Sequence, residues 1–428
     1  MKRLLFFVAV LSGGCSKYAP KPLQPSALFE ELRRAPITQP ADGMSPDDAV
    51  SIALRSNVEL RAFRRLRNVA ESRVVSASAW ENPELRLDLQ APLRVGFGVR
   101  VYVPAPGERH AKIEGAKAGE RRVLAEIEDH ENRVAAEALI AHAHLLAIED
   151  ELAIVEASIA LHQRILTVIE QRLAVFAATE LDRALSTLQR LQVEAERDTL
   201  AWQREEAQAT LARACGLPVG SIEHVRRAPV PPPLPPADPA ALELAALRRR
   251  PDLRALEEAY QEREHQLELV HVEQQLWPRF FQPGVKKIPD KITADVGVAL
   301  PIPIFSAKGP VGEAEGQRDL ARATYVARLE ASRAEVRAAW AHVVSGERRR
   351  QAYRKSVAPA LAAAEKLTEA TLASGDLDAV KLELIEARIL GARRLAARAD
   401  FEYERARVLL DLATGAVLEG KARHPTSP

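Results

Sequence analysis

The side chains best suited to chemistry are spaced against it. His142 and His144 stand two apart on a helical stretch and point away from one another, and His265 and His271 are six apart, so neither pair can share a metal. His162 falls on an apolar seam, where a packed polar knob that sets helix register is the reading its position supports. The two cysteines, Cys15 and Cys215, have no second thiol near either one. No nucleophile elbow, phosphate-cradling loop, zinc ligand set or paired catalytic acids can be found. The expectation is a non-enzyme without cofactor or metal, whose function lies in the shape of its elements.

Those elements occur twice. Ala53 to Ala62 returns as Ala246 to Ala255, Phe97 to Pro104 as Val296 to Pro303, and Leu211 to Gly216 as Leu410 to Gly415, at a spacing of about 200 residues. So long a period excludes short-repeat solenoids. Among 428 residues 47% are hydrophobic and only 5% aromatic, a composition that favours long packed helices. A formal net charge of +1 supplies no field for nucleic acid.

The N-terminus describes an export signal, residues 1–14: Lys2 and Arg3, an apolar run from Leu4 to Leu11, then Ser12-Gly13-Gly14 before Cys15. The Cys15 context resembles a bacterial lipobox, which implies a lipidated Cys15 at the mature N-terminus; an ordinary cleaved signal with an incidental Cys is the other reading. Ser16 rather than Asp implies transfer to the outer membrane. No later segment reads as a membrane-spanning helix, so any crossing would use strands.

Residues 15–45 read as an extended leader, 46–216 as the first repeat, 217–238 as a Pro-rich linker, 239–416 as the second repeat and 417–428 as a disordered tail. Ser45-Pro46-Asp47-Asp48 predicts a helix start that runs to about Trp80. Residues 84–90 and 95–103 alternate as strands, and 279–287 with 291–302 repeat them after a helix over 239–276. Val134, Ala138, Ala141, Leu145, Ile148, Leu152, Val155, Ile159, His162, Leu166, Ile169 and Leu173 form a heptad seam; Val326, Leu329, Arg333, Val336, Trp340 and Val343 form its counterpart. Each of these helices is roughly 65 residues, or about 100 Å. Return helices are predicted from Leu181 to Gly216 and Leu377 to Gly415. The predicted fold is mainly α with a small β part: duplicated coiled-coil hairpins as an α-barrel, and four strands per chain. Four are too few to close a barrel; three chains would supply twelve. With Leu85, Leu87 and Leu89 on one face and Arg86 and Asp88 on the other, the strands suit a membrane barrel. A soluble hairpin packed on the helices is the alternative.

The duplicated unit, the Gly297 to Phe305 run and the two closing Leu-Ala-Gly helix ends resemble the TolC-type outer-membrane efflux proteins over residues 45–416. Pro106-Gly107-Glu108-Arg109 is similar to a turn found in heavy-metal-cation members. The resemblance implies a homotrimeric duct of a tripartite efflux system in outer-membrane lipid, with a periplasmic adaptor and an inner-membrane pump as partners. A non-inserted periplasmic coiled-coil or adaptor-like lipoprotein is the competing reading. By the same resemblance, with about two extra residues allowed after it, Gly375 at the second hairpin tip is followed by gate or selectivity acids, Glu383 and Glu386, three apart on one face. Asp376 and Asp378 at the turn are further candidates, and a solvated acidic face at a helix N-terminus is the other reading. Its counterpart in the first hairpin, with Glu180, Asp182 and Arg183, lacks the Gly.

Overall fold

A computed structural model describes residues 19–34, 43–90, 94–227, 238–288, 291–302, 308–374 and 379–418. Residues 1–38 form a unit of their own. Its described part holds α1 (Pro25–Arg34), which exposes Leu28 and Phe29.

The second unit opens at α2 (Pro46–Ser56). Ser45 accepts from the Asp48 amide while Asp48 accepts from the Ser45 amide, a reciprocal cap that the sequence foretold in part. The helix expected to reach Trp80 is broken into α2, α3 (Val58–Arg64) and α4 (Leu66–Ser78). Asn57 causes the first break, because its side chain accepts from the Leu60 amide and restarts the helix as a cap. After the strands β1 (Glu84–Gln90) and β2 (Arg94–Tyr102) comes α5 (Glu108–Ala174), 67 residues and so about 100 Å long. Every member of its predicted seam is buried or half-buried. The return helix is α6 (Glu180–Cys215).

The second repeat follows the same plan: α7 (Pro239–Arg249), α8 (Pro251–Glu273), β3 (Phe280–Ile288), β4 (Lys291–Ala299), α9 (Lys308–Ala352), a π-helical turn at Tyr353–Val357, α10 (Ala358–Ser374) and α11 (Ala379–Thr414). Pro251 forces Arg250 into extended backbone, which splits the helix expected over 239–276. From Lys308 to Ser374 the chain uses as many residues as α5. Its seam, however, is shifted from the predicted one: Ser332, Val336, Ala339, Val343, Gly346 and Arg350 are buried, whereas Val326 is exposed. Small residues decide this, since a Cβ on Gly346 would already lie 3.4 Å from the Tyr403 Cα of α11.

The landmarks that repeat in sequence meet in space. Gly216 and Gly415 end α6 and α11 with positive φ of 67° and 75°. A Cβ on Gly216 would stand 2.4 Å from the Ser56 carbonyl oxygen, so no side chain fits there. At equivalent positions, Asn57 Nδ2 donates to the Ala214 carbonyl at 3.1 Å and Arg250 Nη1 donates to the Ala413 carbonyl at 3.0 Å. Each pair ties the break between short helices to the last turn of the return helix. Around one junction pack Ala53, Leu60, Leu145, Leu211 and Cys215; around the other, Ala246, Val336, Tyr403 and Leu410.

One antiparallel sheet, ordered β1-β2-β3-β4, joins the repeats through the β2–β3 pair. Among the described residues, both outer strands, β1 and β4, leave an edge unpaired.

Candidate functional site

Register assigns the sheet two opposite faces. Leu87 lies opposite Phe97, Phe97 opposite Val285, and Val285 opposite Ala294. Since successive side chains alternate, this row shares its face with Leu85, Leu89, Val95, Val101, Phe281, Val296 and Val298. These are exposed in the single chain, with Leu89 at 71% and Ile292 at 76%. Among the described residues nothing covers them, in contrast to the soluble hairpin packed on helices. The other face carries Glu84, Arg86, Asp88, Arg100, Gln282, Lys286 and Asp295, with Gly96, Gly98, Gly284 and Gly297 between them. It is internally paired: Arg100 meets Glu84 at 3.4 Å and lies 4.1 Å over the Phe280 ring, and Lys286 meets Asp295 at 2.8 Å. An apolar exposed face backed by a polar face is the pattern of a strand wall between lipid and water.

A buried carboxylate holds this sheet to the helices. Glu108, at the first position of α5 and 1% exposed, accepts from the Ala105 amide at 3.0 Å, Lys112 Nζ at 2.9 Å, Arg279 Nη1 at 3.0 Å and the Tyr102 hydroxyl. Arg279 also donates to the Glu273 carbonyl at 2.6 Å, so one residue of the first repeat grips the α8–β3 connection of the second. Burial works to raise the Glu108 pKa, but the hydrogen bonds outweigh it and hold the carboxyl below its usual range. The sequence singled out this turn only for a resemblance; the cross-repeat partner carried no local signal.

The hairpin tips stand at the far ends of α5 and α6, and of α10 and α11. At the first tip Phe176 is 97% exposed and has a φ of 59°, a conformation costly for a bulky residue. Thr179 and Asp182 cap α6 reciprocally, and Glu180 pairs with Arg183 at 2.8 Å. At the second tip Gly375, Asp376 and Asp378 lie outside the described residues, as do Cys15 and the signal segment. Glu383 falls early in α11, and its side chain is not among those described. Glu386 is 5% exposed, and burial pushes its carboxyl up despite Arg393 and Arg164; Glu365, bonded to Arg393, adds to the rise. In one chain this carboxylate is thus enclosed by neighbouring helices.

Further from the tip, Glu151 of α5 accepts from Arg398 at 2.8 Å and Arg394 at 3.2 Å, and Arg394 also bonds Glu196 of α6. This joins α11 to both helices of the first hairpin. Of the histidines singled out in the sequence, His142 Nε2 bonds the Met44 carbonyl at 2.9 Å, His162 is buried with Nδ1 unpartnered, and burial lowers both pKa values. Among the described residues no group of three or more potential ligands converges. The buried Cys215 thiol, pushed up to about 12, is unreactive at neutral pH.

One correction concerns helices. A stretch of α5 is, by length and composition alone, apolar enough to cross a membrane, with a mean hydropathy of 1.5. A third of that stretch is buried within the chain, where Leu152, Val155 and Ile159 of the seam pack against other helices.

No protein-family model matches the chain, and no curated protein matches it by sequence. Solved structures do. The outer-membrane channel OprN superposes with a TM-score of 0.72 at 18% identity over 87% of this chain and 90% of that one. The outer membrane protein VceC from Vibrio cholerae gives 0.71 at 16% identity over 86% and 96%. CusC, described for its folding and transmembrane channel formation, gives 0.70 at 14% identity over 94% and 99%. At these identities the fold is what is shared, and it is the fold of TolC-type outer-membrane channels.

Proposed function

We propose that the protein is a passive outer-membrane duct for efflux, one component of a tripartite system. The observation that carries this reading is the sheet: an exposed face that is apolar but for Lys287, charges and glycines on the other face, and an open edge on each side among the described residues. Three chains would pair β4 of each with β1 of the next and give twelve strands. The helical hairpins, about 100 Å long, then extend the conduit into the periplasm toward an adaptor and an energised inner-membrane pump. Cys15, lipidated after removal of residues 1–14, anchors the leader to the same membrane. At the periplasmic mouth, Glu383, Asp376 and Asp378 form the constriction that Gly375 allows, with Glu386 one turn inside it.

Purified protein added to planar bilayers should insert as trimers and conduct ions. Leu87→Lys, placed on the apolar face, should hinder insertion, because a lysine facing hydrocarbon costs up to about 2–4 kcal/mol per chain, the most at the midplane. A monodisperse monomer that never conducts would overturn the duct and favour a non-inserted periplasmic coiled coil.

A further inference from the structure

The apolar face of the sheet carries one charge among its described residues. Along β3 the residues on that face are Phe281, Pro283, Val285 and Lys287. Lys287 is exposed and stands in register between Val95 on β2 and Ile292 on β4, where its neighbours on the face are all apolar. Its sequence neighbour Lys286 points to the polar face, where Asp295 binds it at 2.8 Å. Lys291, in the same hairpin end, belongs to that polar face as well.

Position along the strand says what Lys287 meets. Ile292, Val296 and Val298 are exposed in one row of β4 that begins opposite Lys287, and the exposed Leu300 and Ile302 follow the strand. The six steps from Ile292 to Val298 cover about 20 Å of strand, or about 16 Å of depth at a tilt of about 40°, which fits within the apolar band of about 25 Å of an outer-membrane barrel. Lys287 pairs with the first residue of that row, one pair short of the Ile288–Lys291 hairpin end. It therefore stands at the border of the band on the end remote from the helices. There the lysine stem can run along the apolar face while its head reaches the headgroup level, and the anionic groups at that level are lipid phosphates.

We propose that Lys287 binds the phosphate of an anionic lipid headgroup in the leaflet remote from the helical hairpins. This rests on the duct reading. The lysine acts as a point charge on a flexible stem, so it recognises a negatively charged phosphate of any headgroup shape. One such contact per chain would also fix the depth of the sheet, because the charge cannot descend into hydrocarbon.

The full-length protein, reconstituted in vesicles of phosphatidylcholine with a minor share of phosphatidylglycerol, tests this by counting co-purified lipid in native mass spectrometry. Wild type should retain phosphatidylglycerol over phosphatidylcholine, and Lys287→Gln should lower that preference by about fivefold, the equivalent of about 1 kcal/mol for one lysine at an anionic surface. Lys291→Gln, on the opposite face, should keep it. An unchanged preference in Lys287→Gln, or an equal loss in Lys291→Gln, overturns the proposal while insertion into the vesicles leaves the duct standing. Displacement of the lipid by inorganic phosphate overturns the assignment to a headgroup. Failure of the wild type to insert overturns both readings together.

Discussion

Asp252→Asn should open the second helical junction without dismantling the first. Asp252 accepts from Arg250 at 2.9 and 2.7 Å and from Arg328 at 2.7 Å, and Glu335 closes the ring by binding both arginines. Burial alone would raise its pKa, yet the two guanidinium groups bring it from 3.8 down to about 2. A depression of nearly two units at 1.36 kcal/mol each amounts to about 2.5 kcal/mol of stability held by the ionised form. Because the folded pKa lies below the unfolded one, this stabilisation is complete above about pH 4 and disappears as pH falls from there through about 2. Hydrogen exchange of the α7–α8 break and the last turn of α11 reads it directly, since Arg250 also holds the Ala413 carbonyl. At neutral pH the variant should lose about sixtyfold in protection at those amides, with the Asn57–Ala214 junction unchanged. Between pH 4 and 2 wild type and variant should converge. A loss under about threefold at pH 7, or a difference above about threefold that persists at pH 2, would refute the account of this ring.

Glu108→Gln should release Lys112 and Arg279 and lower the unfolding free energy by about 3 kcal/mol, because a buried pair broken on one side leaves its cations uncompensated; an unchanged midpoint in denaturant titration removes Glu108 as the clamp between sheet and helices. For the mouth, Glu383→Ala combined with Glu386→Ala should raise single-channel conductance or lower cation selectivity, and currents identical to wild type would take both residues out of the gate.

Much of the fold was legible because it rests on local pattern. The α5 seam, the Ser45 cap and the strand alternation are each set by residues within a turn or two of one another, and their structure follows. The breaks at Asn57 and Arg250 were legible only in part: Pro251 announces the second, whereas Asn57 acts through a side-chain cap that a helical seam conceals. The shifted seam of α9 was out of reach, since Gly346 is buried for the sake of Tyr403 on another helix. So was the clamp on Glu108, whose partner Arg279 lies 171 residues away. The candidate site divides in the same manner. Its faces follow from alternation, but the enclosure of Glu386 by Arg393, Glu365 and Arg164 depends on three helices meeting.

Duplication explains how such a chain can close on its copies. Within the chain, β2 of one repeat already pairs antiparallel with β3 of the other. Strand direction alternates through β1-β2-β3-β4, so β4 ends antiparallel to the β1 of any following copy. A chain with an odd number of strands would bring parallel edges together and break the alternation; a duplicated pair cannot. The unpaired edges therefore belong to different repeats and are complementary by construction. Selection on the two repeats is then free to differ elsewhere. The junctions show that freedom, for a neutral Asn57 and a charged Arg250 hold equivalent carbonyls, and only the second adds a carboxylate ring around itself. Equivalent geometry with unequal chemistry makes the second hairpin the one whose attachment responds to charge. On the duct reading it is also the hairpin that carries the acidic mouth.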